Sequence, residues 1–493
     1  MNNDDATPDR KELLNQEFKL LINGELTSGE SKEFMETVNP SNGEIIAKIP
    51  NASIIDVSNT IVAAKKAQKK WALTSLEERQ NSVLEIAKLL KKYSNELGLL
   101  DTLDTGNLYS TMRYDADWAA GIIQYMCSSS NEVKGEVTHH DNNLHYTKRY
   151  PFGVTAKLLP FNHPIQAFGT GLAAPLLMGN SLILKPSPHT PLSALYFGKI
   201  IKDILPPGVI NILTGTNERV SMPIVQHPDV PRLALTGSIE AGKKVSLLAS
   251  ENLKKVSLEL GGKNPLIIFE DADPELAAQI AIKGMNFSCQ SQSCSAPSKV
   301  FVHKSIKKEF IEKLCEKVKV LRPGLPTDPS SDIGSLSNKN QFNKVLEYIK
   351  SGQADGANLL MGGKIPNSPN LKNGFFITPA IFSDAKPNMR ISKEEIYGPI
   401  ITILDWDNYE EMISIANDTK YGLAAVIITN SLNSAHKAAN DLNVGYIEIN
   451  APVSFSAGSP YGGWKQSGDG REGSIDELLS YTQIKSINLN IFK

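Results

Sequence analysis

Cysteine is scarce in this chain: Cys127, Cys289, Cys294 and Cys315 are the only four among 493 residues. So few thiols exclude a disulfide framework and fit a reducing compartment, where a thiol stays available as a nucleophile. An excess of one charge is lacking too. A net charge of -2 gives no electrostatic basis for binding nucleic acid or an anionic membrane. No run approaches the roughly 18 uninterrupted apolar residues of a membrane span. The opening Met-Asn-Asn-Asp-Asp-Ala-Thr-Pro is polar and lacks the apolar core of a signal peptide. These absences predict a cytoplasmic protein whose residues 1–16 form a mobile tail. The length allows roughly two to four domains, each with its own core.

What is present falls into three textures. Phe18–Leu26 and Ile45–Ile49 read as short strands around the turn Asn39-Pro40-Ser41-Asn42-Gly43. Two amphipathic helices follow. Val57, Ile61, Ala64, Ala67 and Trp71 carry the first, and Ser75-Leu76-Glu77-Glu78 is a capping box opening the second, with Val83, Leu84, Ala87 and Leu90 inward. Residues 140–150 read as an exposed strand. His139-His140-Asp141 lacks a spaced third ligand, so it reads as a solvated loop and no metal site is expected.

From Gly153 the pattern changes to apolar runs alternating with helical windows: Gly153–Leu159, Ser181–Leu184, Val209–Leu213, Arg232–Leu235 and Val256–Leu260. This predicts a parallel sheet with helices on both faces, which binds ligands beyond the carboxyl ends of its strands. Asn162, Lys185, Gly215 and Thr236-Gly237-Ser238 stand at those ends. A second α/β pattern follows Gly262, with strands at Pro265–Phe269, Lys299–His303, Ile400–Leu404, Ala424–Thr429 and Gly445–Asn450. Residues 322–375 are rich in Pro, Gly, Ser and Asn and read as long surface loops. Thr482–Phe492 alternates as a terminal strand suited to sheet extension between subunits.

Several segments carry chemistry. Gly237-Ser-Ile-Glu-Ala-Gly242-Lys243-Lys244 nearly spells a triphosphate loop, but Lys244 stands where a magnesium-binding Ser or Thr belongs. What remains is a strand, a glycine and a helix N-terminus with amides free for a phosphate. Lys185 ends a buried strand, either snorkelling or binding ribose and phosphate. Glu259 is the only acid in Val-Ser-Leu-Glu-Leu, and burial there would raise its pKa toward that of a general base. Cys294 sits in Ser-Gln-Ser-Cys-Ser, too polar for a core strand, whereas Cys127 and Cys315 read as inert small hydrophobes. Cys289 reads as a pocket-wall thiol, with a redox pair to Cys294 as the other possibility.

Leu-Glu259-Leu-Gly-Gly-Lys followed by Ser-Gln-Ser-Cys294 resembles the catalytic segment of the aldehyde dehydrogenase superfamily, in its hydrolytic, non-CoA-acylating branch. The resemblance runs from about Phe18 to Ile491. It adds Pro160-Phe161-Asn162-His163-Pro164, Glu394-Glu395-Ile396-Tyr397-Gly398-Pro399, and Pro460-Tyr461-Gly-Gly-Trp with Gly470-Arg471-Glu472. It implies Cys294 as nucleophile, Asn162 as oxyanion donor, Glu259 as base for the hydrolytic water and Glu472 as a proton relay. It implies NAD or NADP as cofactor, held by Pro160, Phe161, Lys185, Ser187, Gly215, Thr236, Gly237, Ser238, Leu260, Gly261, Glu395 and Tyr397. His163, Gln166, Thr170, Ser293, Ser295, Phe455 and Tyr461 would line the substrate tunnel. Their polarity favours a small polar or aromatic aldehyde.

Three departures stand out. Pro188 replaces the ribose-binding acid found in relatives that prefer NAD, which leaves NADP open. Ser291 replaces a glycine before the thiol, at a cost if that position needs φ > 0. Gly171 stands where many relatives carry a lysine. The expected fold is α/β: a Rossmann-like NAD(P)-binding domain (17–127 and 151–260), an α/β catalytic domain (261–474) and a small β oligomerisation arm (128–150 and 475–493). A homodimer or homotetramer with a small-molecule aldehyde substrate is implied, with neither nucleic acid nor membrane as partner. The competing readings are a non-catalytic binding or structural protein on this scaffold, and a triphosphatase.

Overall fold

The computed structural model describes residues 8–140 and 143–490. Two seven-stranded sheets form its frame. In the first, the spatial order is Lys255–Leu260, Arg232–Gly237, Val154–Leu158, Ser181–Lys185, Ile210–Ile212, Leu20–Ile22 and Glu25–Thr27. The first five are mutually parallel, and the last two form an antiparallel edge. Every residue of Val154–Leu158 and Ser181–Lys185 is buried, as central parallel strands require. Chain order reverses between Val154–Leu158 and Arg232–Gly237. A crevice at such a switch point is where an open α/β sheet binds its ligand.

The second sheet runs Asn358–Met361, Ala380–Ser383, Ile400–Trp406, Lys299–His303, Pro265–Ile268, Ala424–Ile428 and Tyr446–Ile449. All but the Asn358–Met361 edge are parallel. Helices Ile54–Trp71 and Leu76–Lys92 start at Ser53 and Ser75, each with a complete capping box, and bury the expected faces. A cap of this kind contributes about 1 kcal/mol, and each large buried apolar side chain roughly 1.5–3 kcal/mol. A third, antiparallel sheet joins Thr482–Asn490, Asn143–Pro151 and Val137–His140.

The structure corrects several sequence expectations. Within the segment read as a tail, Arg10–Leu14 is helical and Leu13 is buried in the main core; residues 1–7 lie outside the described residues. Phe18–Leu26 is not one strand but a hairpin turning at Asn23 and Gly24, both with positive φ. The partner of Ile45–Pro50 is Phe34–Val38, whose mixed composition hid it. The stretch 322–375 holds the helix Lys339–Ala354 and the edge strand Asn358–Met361. Phe342, Val345, Leu346 and Ile349 give that helix its apolar face, obscured by the polar residues between them. Within 475–493, Leu478 and Tyr481 pack into the main core, and Thr482–Asn490 joins the third sheet. His139 lies in a strand rather than a loop; Asp141 lies outside the described residues. Among the described residues no helix is long and apolar enough to cross a membrane.

Candidate active site

The strand Val154–Leu158 is followed by Leu159 and Pro160, and Pro164 opens the helix Pro164–Leu177. Asn162 and His163 occupy the bend between them. Asn107 Nδ2 donates to the Asn162 carbonyl at 2.8 Å, and Asn162 Nδ2 donates to the Gln292 carbonyl at 3.0 Å. An amide nitrogen carries two protons, so one remains for a ligand. Gln166 and Thr170, four residues apart, share a helix face, with Thr170 Oγ1 donating to the Gln166 carbonyl at 3.1 Å.

Cys294 lies in the loop after the helix Pro274–Met285. That loop turns through Asn286, Gln290 and Ser291, all with φ between 50° and 55°. Asn264 Nδ2 donates to the Cys294 carbonyl at 2.7 Å and to that of Ala296 at 3.1 Å, while its Oδ1 accepts from Ala424 N. The thiol is therefore tied to the second sheet through backbone. Its Sγ lies 3.6 Å from Tyr461 Oη. Burial pushes the thiol up to about 11; the Tyr461 hydroxyl opposes that shift, and the charges of Glu395 and Glu259 add to it.

Glu259 is paired in register with Thr236 on one side and bridged to Gly468 on the other. It is 7% exposed, and among the described residues neither carboxylate oxygen has a hydrogen-bond partner. Burial holds its pKa well above the usual carboxylate range, and the nearby Glu472 adds to the shift. Glu472 is fixed by backbone hydrogen bonds in both directions with Tyr461, and its Oε1 accepts from Lys157 Nζ at 2.7 Å.

These groups converge on one tunnel of about 550 Å³. It is lined by Cys294, Glu259, Asn162 and Glu472 and by all seven candidate substrate residues, His163, Gln166, Thr170, Ser293, Ser295, Phe455 and Tyr461. The sequence missed Lys157, Asp115 and Trp118 on the same wall. Asp115 Oδ2 lies 2.8 Å from His163 Nδ1. Burial would lower the imidazole's pKa, but Asp115 reverses this and holds it well above its ordinary value. Trp118 meets Phe455 edge-to-face at 5.0 Å, and Phe455 meets Tyr461 at 5.2 Å. The wall is thus more aromatic than its polar residues suggested. Cys289, expected on the wall, is instead fully buried and does not line the tunnel.

A second cleft of about 400 Å³ opens at the switch point. Pro160, Phe161, Lys185, Ser187, Thr236, Gly237 and Ser238 line it. Pro160 and Thr236 line the tunnel as well, so the two spaces meet there. Ser238 caps the helix Ile239–Ser250 by accepting from Ala241 N. Gly237 has no side-chain atom within 3.4 Å of where a Cβ would sit, which lets a ligand approach its backbone. Lys185 is 3% exposed; burial pushes its ammonium down to about 8, with Glu218 opposing. A buried cation, a helix N-terminus and an open glycine suit a dinucleotide's phosphates and ribose.

Tyr397 stands edge-to-face with Phe161 at 5.7 Å, and Gln341 Nε2 donates to its carbonyl at 2.6 Å. Glu395 Oε1 accepts from Gly262 N at 3.2 Å and crowds Gly261 so closely that a Cβ there would collide with it. Leu260 lies on the tunnel side. Gly215 does not line the cleft. A Cβ there would meet Val220 Cγ2 at 2.5 Å and Asn51 Oδ1 at 3.0 Å, so its position is dictated by packing.

Residues 26–487 match the aldehyde dehydrogenase family. The chain belongs to that family. An aldehyde dehydrogenase from Talaromyces stipitatus, tropH, is 38% identical over 98% of this chain and 95% of its own length. Among solved structures, a mutant of the Bacillus cereus aldehyde dehydrogenase shares 34% identity at TM-score 0.95, covering 99% of each chain. The betaine aldehyde dehydrogenase of Staphylococcus aureus, in complex with NAD+, shares 32% at TM-score 0.95, covering 98% of this chain and 97% of that one. As an aldehyde dehydrogenase this protein is an oxidoreductase that uses a nicotinamide dinucleotide. The triphosphatase reading falls away with that assignment, and so does the non-catalytic one.

Proposed function

We propose that this aldehyde dehydrogenase oxidises a small polar or aromatic aldehyde to the free carboxylic acid, with Cys294 as nucleophile and Glu259 as hydrolytic base. The observation that carries the reading is convergence: thiol, carboxylate and amide share one tunnel, and that tunnel meets the switch-point cleft at Pro160 and Thr236. Cys294, its thiol proton lost to solvent, adds as the thiolate to the aldehyde carbon, whose C=O π pair moves onto oxygen, and the oxyanion takes hydrogen bonds from Asn162 Nδ2 and the Cys294 amide. One such donor is worth about 3 kcal/mol of barrier in comparable sites. When bound, the nicotinamide accepts the hydride released from that carbon. The acyl group is left on Cys294 as a thioester. Glu259 removes a proton from water, whose oxygen replaces sulfur on the acyl carbon, and the thiol is regenerated with the acid. The carboxylate's high pKa suits it to take that proton.

Lys185, Ser187 and the first turn after Gly237 would hold phosphate and ribose, and Glu395 and Tyr397 the nicotinamide half. Pro188 supplies no carboxylate to repel a 2′-phosphate, so the reading extends to NADP as well as NAD. Trp118, Phe455 and Tyr461 offer ring faces, while His163, Ser293 and Ser295 offer polar contacts. Association through the third sheet into a homodimer or homotetramer, in the cytoplasm, completes the reading; the open edge of Thr482–Asn490 and four unpaired thiols support it. The test is reduced-nicotinamide formation with aliphatic, aromatic and amino aldehydes, each with NAD and NADP. A clear preference for polar or aromatic aldehydes is expected. Equal rates with long alkyl aldehydes would overturn the substrate class, and turnover by Cys294→Ala would overturn the nucleophile.

A further inference from the structure

A lysine lies in the middle of a fully buried strand. Lys157 belongs to Val154–Leu158, with 2% of its surface exposed, and it reaches into the tunnel wall behind Glu259. Its stem runs over Gly171: a Cβ added there would stand 2.6 Å from Lys157 Cδ and 3.2 Å from Nζ. Residue 171 is small because the lysine occupies its space. The ammonium donates to Glu472 Oε1 at 2.7 Å, and that carboxylate is itself 25% exposed.

Behind this pair lies a second buried acid. Glu477 is 4% exposed and accepts from Gly473 N at 2.9 Å. A cavity of about 10 Å³, near the lower limit for one water, is bordered by Glu259, Glu472, Glu477 and Arg232. The network therefore continues from Glu259 through Glu472 to Glu477 and Arg232. Its charges are coupled throughout. Glu259 is faced by Glu472, Lys157, Arg471 and Glu477. Glu477 is faced by Lys157, Glu472 and Arg232, and Lys157 also by Tyr481. Burial alone would lower the Lys157 pKa; Glu472 and Glu477 reverse that and hold it above its ordinary value, so it stays a cation.

We propose that Lys157 is the positioning residue for deacylation, holding Glu472 beside Glu259 so that the proton taken from water passes from Glu259 to Glu472 and on to solvent. The inference rests on the reading of Glu259 as base. The balance is simple: an O–H bond of water breaks, its oxygen bonds to the acyl carbon as the C–S bond breaks, the Cys294 sulfur leaves with the bonding pair and takes the proton of the product acid, and the proton taken from water moves from Glu259 to the Glu472 carboxylate. Glu259 is then ionised for the next turnover. Lys157 gives up no proton; it keeps Glu472 in place, and its charge favours ionised Glu259.

The test compares Lys157→Gln and Gly171→Ala with the wild type. Each is assayed for the burst of reduced nicotinamide, the steady-state rate and its pH profile, with folding followed by thermal unfolding. The expected Lys157→Gln result is a full burst with a steady-state rate lowered at least about tenfold. Its acid limb should move up by about one pH unit, because Glu259 loses the opposing cation. Gly171→Ala, which displaces the stem without removing the charge, should give a smaller change of the same kind; it carries the test alone if Lys157→Gln does not fold. Burst and steady state falling together, or an unmoved pH profile, would overturn the proposal. Glu259→Gln separates the two readings. If it stalls after the burst while both other variants behave as wild type, only the role of Lys157 fails. If it turns over normally, the reading of Glu259 fails as well.

Discussion

Cys294 is a buried thiol held near 11, so in the free enzyme at neutral pH only a small fraction is thiolate. The direction decides the behaviour. A thiol raised by burial gains reactivity as pH rises toward its pKa, and its ionised fraction grows about tenfold per pH unit. Alkylation of Cys294 by iodoacetamide should therefore be slow at neutral pH and accelerate with a slope near one up to about pH 10. A rate already at its plateau at neutral pH would show that the thiol is ionised by a neighbour. Glu259 works in the same direction, since its raised pKa leaves less carboxylate at acid pH. Both residues were legible in the sequence from neighbours alone: one acid among apolar residues, one thiol among polar ones. Lys157, Asp115 and Trp118 were not. A lysine inside a buried parallel strand is a signal in itself, because such a charge needs a partner, but Glu472 lies 315 residues away. Asp115 and Trp118 sit on a helix whose facing wall comes from distant loops.

The loop before Cys294 turns on a residue in the left-handed region. Ser291 has φ 55°, and its buried hydroxyl has no hydrogen-bond partner among the described residues. The left-handed conformation costs an L-residue roughly 1–2 kcal/mol, offset in part by the chain entropy that a glycine would lose. Ser291→Gly should thus raise stability by about 1 kcal/mol in chemical denaturation while the active site remains intact. A loss of stability would mean that the hydroxyl is partnered in solution. The cleft poses a similar question at the turn after Ser181–Lys185. Pro188→Glu introduces a carboxylate beside Lys185, where it would repel a 2′-phosphate and bind ribose hydroxyls. The ratio of kcat/KM for NAD over NADP should rise at least about tenfold, as expected for one charge facing another. An unchanged ratio would place the ribose elsewhere. The five parallel strands of the first sheet and five strands of the second were legible to within a residue or two, because each is a short apolar run bounded by turn residues, whereas Asn358–Met361 and Ala380–Ser383 were not read and the hairpin Leu20–Thr27 read as one strand. The helix Lys339–Ala354 was not, since five of its residues are Lys, Asn or Gln on the outer face and the surrounding Pro and Gly suggested loops.

The arrangement of the whole molecule follows from two parallel sheets whose carboxyl ends supply one half of the site each. The first brings Glu259, Asn162 and the cleft; the second anchors Cys294 through Asn264. Neither half alone holds Cys294 and Glu259 together. The third sheet stands apart from the site and leaves Ile484 59% and Leu489 50% exposed on its terminal strand. An unpaired edge with apolar side chains is a template for another chain. Removing residues 482–493 should lower the sedimenting mass to that of a single chain and leave the fold of the two large sheets intact. A truncated protein that keeps the full-length mass would move the interface elsewhere. This much was suggested by the alternation of the last residues, whereas the packing of Leu478 and Tyr481 into the main core is something no local pattern reveals.

The central claim is that Cys294 carries an acyl group which Glu259 then releases to water. Rapid mixing of Glu259→Gln with aldehyde and nicotinamide dinucleotide, followed by mass spectrometry of the Cys294 peptide, tests it most directly. The expected result is one equivalent of reduced cofactor per chain, followed by a stall, with the acyl mass on Cys294. Continued turnover at the wild-type rate with no adduct would contradict the mechanism.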